Sequence, residues 1–242
     1  MGRQRHRVVF GSVVLFLCML AVAAWSDAEN DEPRHEDQAM EHHHQGDAVE
    51  SMTMEHQHRE LHMKWTPRRP ANTNDTERSE QIVRALRASL EKYRDYRVAM
   101  REGFEPFFPQ IVQPHYHFTR KLNGLKAAFR FDPEEPASLL YKKTQDGYEL
   151  IGAMYTAGRW AGEDKLNARV PLSVAQWHAH VNICLPQRGT GQQADWTRFG
   201  FKGSIATKTE CDQVHGRFFP QIYGWMLHVH PFETSPEKIW TH

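Results

Sequence analysis

Cysteine is scarce, with three in 242 residues, too few for a disulfide scaffold or a Cys-rich zinc module. Charge of one sign is not in excess either, because 30 Lys+Arg balance 30 Asp+Glu. A nucleic-acid binder normally shows a basic surplus, so that class is set aside. Several signatures are also missing. There is no Gly-x-Ser-x-Gly nucleophile elbow, no Gly-Lys-Ser/Thr phosphate loop and no Cys-x-x-Cys-His haem attachment. No stretch beyond residue 26 is apolar enough to cross a membrane. What is abundant is histidine, with 16 residues. At 40% hydrophobic, the bulk of the chain can bury a core, and the length suits one large domain or two small ones.

Residues 1–26 read as a secretory signal peptide. Arg3, Arg5 and Arg7 precede an apolar run from Val8 to Ala24, followed by small-residue sites at Ala21-Val22-Ala23 and Ala24-Trp25-Ser26. The alternative is an uncleaved N-terminal anchor. With cleavage, the expectation is an exported protein, periplasmic or secreted, with no membrane contact.

Residues 27–75 are expected to be a disordered tail. They hold 12 acidic against 5 basic residues, a formal −7, and a single Leu, Val and Trp with no Ile, Phe or Tyr. That composition cannot bury enough apolar surface to offset the entropy of ordering. Among the histidines are His42, His43, His44, His56 and His58, interleaved with Met52 and Met54. Imidazole suits Cu, Zn and Ni, while thioether selects Cu(I). The mixture favours copper, bound weakly because nothing preorganises the donors. The tail resembles, in composition, the His/Met-rich extensions of exported bacterial copper-handling proteins. A plain solvated spacer is the other reading.

Residues 76–242 are expected to form one α+β domain, an N-terminal amphipathic helix packed on a mostly antiparallel β-sheet. Caps at Asn74-Asp75-Thr76 precede Ile82, Val83, Leu86, Leu90, Tyr93 and Val98 at helical spacing, which predicts a helix to about Met100, ended by Gly103. Runs at 137–141 and 148–155 flank Gln145-Asp146-Gly147, a hairpin turn. Residues 177–185 and 222–232 read as further strands, 161–169 as loop or short helix, and 187–194 as loop.

Three His-x-His pairs carry the chemistry: His115/His117, His178/His180 and His228/His230. Strand residues two apart share a face. Each run thus offers an apolar face to bury and an imidazole face to use. On that alternation His178, His180, Asn182 and Cys184 share a side. If the strands are neighbours, up to six imidazoles converge, and three or four nitrogens suffice for Zn, Cu or non-haem Fe. A single buried histidine is usually a satisfied core residue; three such runs are harder to explain that way. His215 and His242 read as surface residues. Few carboxylates lie near the runs, Glu233 being the closest in sequence, which counts against a cupin-type site. Cys184 and Cys211 have two readings: a disulfide, favoured in an oxidising compartment, or Cys184 as a thiolate ligand to copper.

Several phrases resemble a group of uncharacterised exported bacterial proteins. They are Tyr93-Arg94-Asp95 with Gly103-Phe104, His115-Tyr116, Phe131-Asp132-Pro133-Glu134-Glu135-Pro136 leading to Leu139-Leu140-Tyr141, Leu150-Ile151-Gly152-Ala153, and Trp225 to Pro231. This resemblance implies export and a single domain, and no activity. The leading expectation is an exported metal-binding protein for copper buffering or delivery, with copper favoured and zinc or iron possible. The alternatives are a metal-dependent enzyme using the same histidines, or a metal-free binding or assembly module.

Overall fold

Period-two alternation governs the strands, and the result is a sheet with two chemically different faces. The computed structural model describes residues 61–109 and 112–241. The signal segment, and the tail positions His42, His43, His44, His56, His58, Met52 and Met54, lie outside the described residues, as does His242. In chain order the elements are strand β1 (Met63–Trp65), helix α1 (Asp75–Leu90), a 3-10 turn (Glu91–Arg94), α2 (Tyr96–Arg101), β2 (Glu105–Pro106) and β3 (Tyr116–Thr119). Then come α3 (Lys121–Phe129), β4 (Ser138–Thr144), β5 (Gly147–Ala157), α4 (Glu163–Arg169) and β6 (His178–Leu185). A 3-10 turn (Gly191–Gln193), α5 (Lys208–Gln213), β7 (Arg217–Gln221), β8 (Trp225–Val229) and α6 (Pro236–Ile239) complete them.

All strand pairings are antiparallel. The sheet runs β1-β6-β8-β5-β4-β3-β2, with β7 also paired to β6. Its spine is the β4–β5 hairpin, closed by Gln145-Asp146 between the paired residues Thr144 and Gly147. One face carries Tyr116, Phe118, Leu139, Tyr141, Ala153, Tyr155, Leu227, Val229 and Ala179, which pack with Ile82, Leu86 and Leu90 of α1 into the main core. Helix α1 forms because those apolar residues recur on one side, with Asp75 and Glu77 in the first turn and Arg87 in the last. Tyr141 ties the sheet to the chain after α1 by donating its hydroxyl to the Tyr93 carbonyl at 2.7 Å.

The helix is shorter than its periodicity suggests. Asp95 adopts extended backbone (φ −85°, ψ 102°), and its carboxylate caps α2 by accepting from the Arg97 N–H. The local hydrogen bond of an Asp N-cap outweighs the continuing apolar pattern. Gly103, at φ +87°, then stops α2.

The expectation of a disordered tail through residue 75 is corrected over its last 15 residues. Residues 61–75 belong to the fold: Met63, Lys64 and Trp65 pair with His180, Ala179 and His178, and His62 is buried with Nε2 2.6 Å from the Gly203 carbonyl. Asp75 is buried too. It accepts from Arg69 (2.8 Å), Ser173 Oγ (2.6 Å) and the Asn72 N–H (3.0 Å). Composition missed this segment because backbone pairing and one polar knot hold it, not apolar side chains.

Candidate metal-binding face

The second face of the sheet is where the three histidine pairs meet. Registers align Met154 with His228, Met226 with His178, Leu140 with His117 and Leu140 with Gly152. Alternation therefore puts His117, Leu140, Gly152, Met154, Met226, His228, His178 and His180 on one side, away from the main core. Leu140, Met154 and Met226 form a small cluster of their own there, flanked by Ile151 and Tyr223.

In a flat sheet β3 and β8 would run about 14 Å apart, three strand spacings. The rings of His117 and His228 nonetheless lean together from both sides of the hairpin, their Nε2 atoms 3.2 Å apart. His178 stands 5.3 Å, ring to ring, from His228 and 5.7 Å from His180. These four make an inner group. His115 and His230 make an outer pair, 5.8 Å apart. His230 Nδ1 lies 3.2 Å from the Ile151 carbonyl. Ile151 is the unpaired extra residue of a β5 bulge, since Leu140 pairs with Gly152 and Tyr141 with Leu150. Donation from Nδ1–H to that carbonyl leaves Nε2 with its lone pair. Gly152 is needed beneath: a Cβ there would sit 2.3 Å from the Val229 carbonyl oxygen and 3.1 Å from His230 Nδ1.

Burial favours the neutral form of three of these rings, His115, His117 and His180. Burial, helped by the nearby His115 and His180, pushes His117 down to about 4. Burial, with His62 nearby, does the same to His180, also to about 4. His115 is lowered by burial first, then by His230 and Lys142. Neutral imidazole is the form that ligates metal. His180 Nδ1 is buried and has no hydrogen-bond partner, an arrangement that costs about 1–3 kcal/mol. Aromatic rings wall the inner group: Trp65 lies 5.2 Å from His178, while Phe201 and Tyr223 lie 4.9 and 6.4 Å from His180.

Among the described residues, no three or more His, Cys, Asp or Glu side chains already stand in a metal-holding arrangement. Without an ion, the His117–His228 contact is a hydrogen bond in which one ring donates and the other accepts.

Cys184 does not join the histidines. Asn182 takes a left-handed conformation, φ +57°, at the position facing Pro220 in the β6–β7 register. This breaks the alternation that would carry His180's face on to Cys184, and asparagine tolerates that backbone better than most residues. The Cys184 sulfur instead bonds that of Cys211, with the Cα atoms 5.7 Å apart, beside Ile205 and Phe218. The thiolate-ligand reading is thereby corrected. His215 is exposed in the turn after α5.

Residues that the sequence reading passed over complete the face. Met226 sits two before His228, so period-two spacing alone could have found it. Met154, Phe201 and Tyr223 come in through register and loops, which no local pattern reveals. No family model, no curated protein and no solved structure matches the chain.

Proposed function

We propose that this is an exported metal-binding protein that buffers or delivers copper. The histidine face is the tighter site, and a disordered His/Met-rich tail is a loose collector ahead of it. The observation that carries this reading is the 3.2 Å separation of His117 Nε2 and His228 Nε2. Two nitrogens bound to one tetrahedral ion at about 2.0–2.1 Å lie about 3.3 Å apart, so an ion can replace the shared proton with little backbone movement. His178 and His180 are the nearest further donors, and a bound ion would satisfy the orphaned Nδ1 of His180. His115 and His230 stand one step out along the face.

Export rests on the signal-like residues 1–26. The Cys184–Cys211 disulfide suits an oxidising compartment, and among the described residues no helix is long and apolar enough to cross a membrane. The test is elemental analysis of untagged protein purified from its own compartment, together with copper affinity at pH 7.5. His117→Ala with His228→Ala should weaken the tightest site at least a hundredfold, and His215→Ala should leave it unchanged. Protein that carries no metal, and whose copper affinity ignores the double substitution, would favour the metal-free module instead.

A further inference from the structure

Four methionines fall among the described residues, and three of them sit directly across a strand pairing from a histidine. Met63 of β1 faces His180, Met226 of β8 faces His178, and Met154 of β5 faces His228. Residues directly opposite in an antiparallel pair share a face, with Cβ atoms about 4.5–5.5 Å apart. A methionine side chain has three rotatable bonds, so each sulfur reaches the space beside its partner's ring.

The distribution is lopsided. The main core, on the other side of the same strands, contains no methionine. The small cluster on the histidine side has three buried members, and two of them are Met154 and Met226. Leucine would fill that cluster with better-defined rotamers, so packing alone gives no reason for thioethers to gather on one face. Chemistry does: thioether is a soft, neutral donor that selects Cu(I), while Zn(II) draws on imidazole, thiolate and carboxylate.

Resting on the metal-binding reading above, we infer that the face takes cuprous copper through a mixed set of imidazole and thioether donors, with His178, His180 and His228 paired to Met226, Met63 and Met154. The thioethers set the choice of ion and oxidation state. The histidines alone would follow the Irving–Williams order, taking Cu(II) ahead of Zn(II), with no soft donor to favour Cu(I).

The experiment uses the full chain. Cu(I), supplied anaerobically as its acetonitrile complex, is competed against bicinchoninate; Zn(II) affinity is measured in parallel. Replacing the three sulfurs in Met63→Leu/Met154→Leu/Met226→Leu should lower Cu(I) affinity at least tenfold and leave Zn(II) affinity within about twofold. Unchanged Cu(I) affinity in that variant, while His117→Ala/His228→Ala still weakens it, overturns the thioether assignment and leaves the histidine site standing. Indifference to both variants overturns the two together. Equal loss of Cu(I) and Zn(II) affinity means the methionines only pack, and also overturns the inference. A second measurement does not depend on the triple variant folding. X-ray absorption at one equivalent of Cu(I), on full-length Met40→Ser/Met52→Ser/Met54→Ser protein, should show sulfur beside nitrogen. A nitrogen-only shell refutes the assignment.

Discussion

Thr66 and Trp177 hold each other by two hydrogen bonds, one between backbones and one to a side chain: the Thr66 N–H donates to the Trp177 carbonyl at 2.8 Å, and the Trp177 N–H donates to Thr66 Oγ1 at 3.0 Å. Trp177 is fully buried in the main core and directly precedes His178. The last residues of the acidic segment therefore fix the entry of the strand that carries two of the inner histidines. β1 then covers the other edge of that strand, with Trp65 against the His178 ring.

Two truncations should behave differently for this reason. A chain starting at residue 61 keeps β1, Thr66 and the Asp75 knot; one starting at residue 76 loses all three. The second should melt far below the first, since it strands the Trp177 N–H, uncovers β6 and takes from Ser173 and Asn167 their partners Asp75 and Arg69. Leaving one buried donor such as the Trp177 N–H unsatisfied costs about 1–3 kcal/mol by itself. Equal melting temperatures would show that residues 61–75 are dispensable to the fold.

Metal-free protein should lose stability in two acid steps. His117 and His180 have folded values near 4, below the unperturbed value of about 6.5. Between those pH values the unfolded chain binds more protons, so stability rises with pH across that window and falls on acidification. At pH 5 the loss relative to pH 7.5 is about 1–2 kcal/mol per ring. Asp75 acts in a second, lower window. Burial alone would raise its carboxyl, but hydrogen bonds from Arg69, Ser173 and Asn72 outweigh this and bring it to about 2. Its contribution is complete above the ordinary carboxylate range and is lost as pH falls towards 2. Thermal melts at pH 7.5, 6 and 5 check the first step. His117→Gln/His180→Gln should flatten it, and an unflattened slope would locate the proton uptake elsewhere.

How much of this was legible beforehand follows from the range of each interaction. The pairs at His115, His178 and His228 could be read because two-residue spacing is a local property of a strand. The hairpin at Gln145-Asp146 was legible for the same reason. The break at Asp95 was not, because one side-chain-to-backbone hydrogen bond overrode six apolar positions. The turn of Asn182 away from strand geometry was not legible either; it falls opposite Pro220, some 40 residues on. Strand β7 was hidden by that same proline, which cannot donate to a ladder. The Met154–His228 pairing is set wholly by register between β5 and β8, and register between distant strands leaves no local mark.

Reduction should cost the fold measurably. The Cys184–Cys211 bond closes a separation of 27 residues, for which loop entropy gives about 3–4 kcal/mol. Both sulfurs are buried, and Gly216 passes so close that a Cβ there would lie 2.5 Å from Cys184 Sγ and 2.7 Å from Cys211 Sγ. Titration of denatured, unreduced mature protein should find no free thiol, and prior reduction should release two. Cys184→Ala/Cys211→Ala should melt several degrees lower yet bind copper as the parent does, because the pair lies off the histidine face. A loss of tight copper binding without loss of stability would instead return Cys184 to the ligand set.

Acid should strip metal from the two regions separately. Protons compete with metal for imidazole, so each site empties as the pH approaches the values of its own rings. On the proposed reading the tail is unpacked, and an imidazole with no burial to shift it has the reference value of about 6.5. The inner rings His117 and His180 sit near 4 because burial disfavours their charged forms. A fully copper-loaded chain titrated downward from pH 7.5 should therefore release copper in two phases, the tail's between about pH 6.5 and 5.5 and the face's only near pH 4.5 and below. Proton competition also fixes the order in which metal returns, since on raising the pH the face fills first. Equilibrium dialysis with copper analysis at half-unit steps resolves the phases. Removing residues 27–60 should erase only the first phase, and His178→Ala/His180→Ala only the second. A single phase near pH 6 that ignores the second substitution would mean that the tail holds all the copper and that the histidines of the sheet serve packing alone.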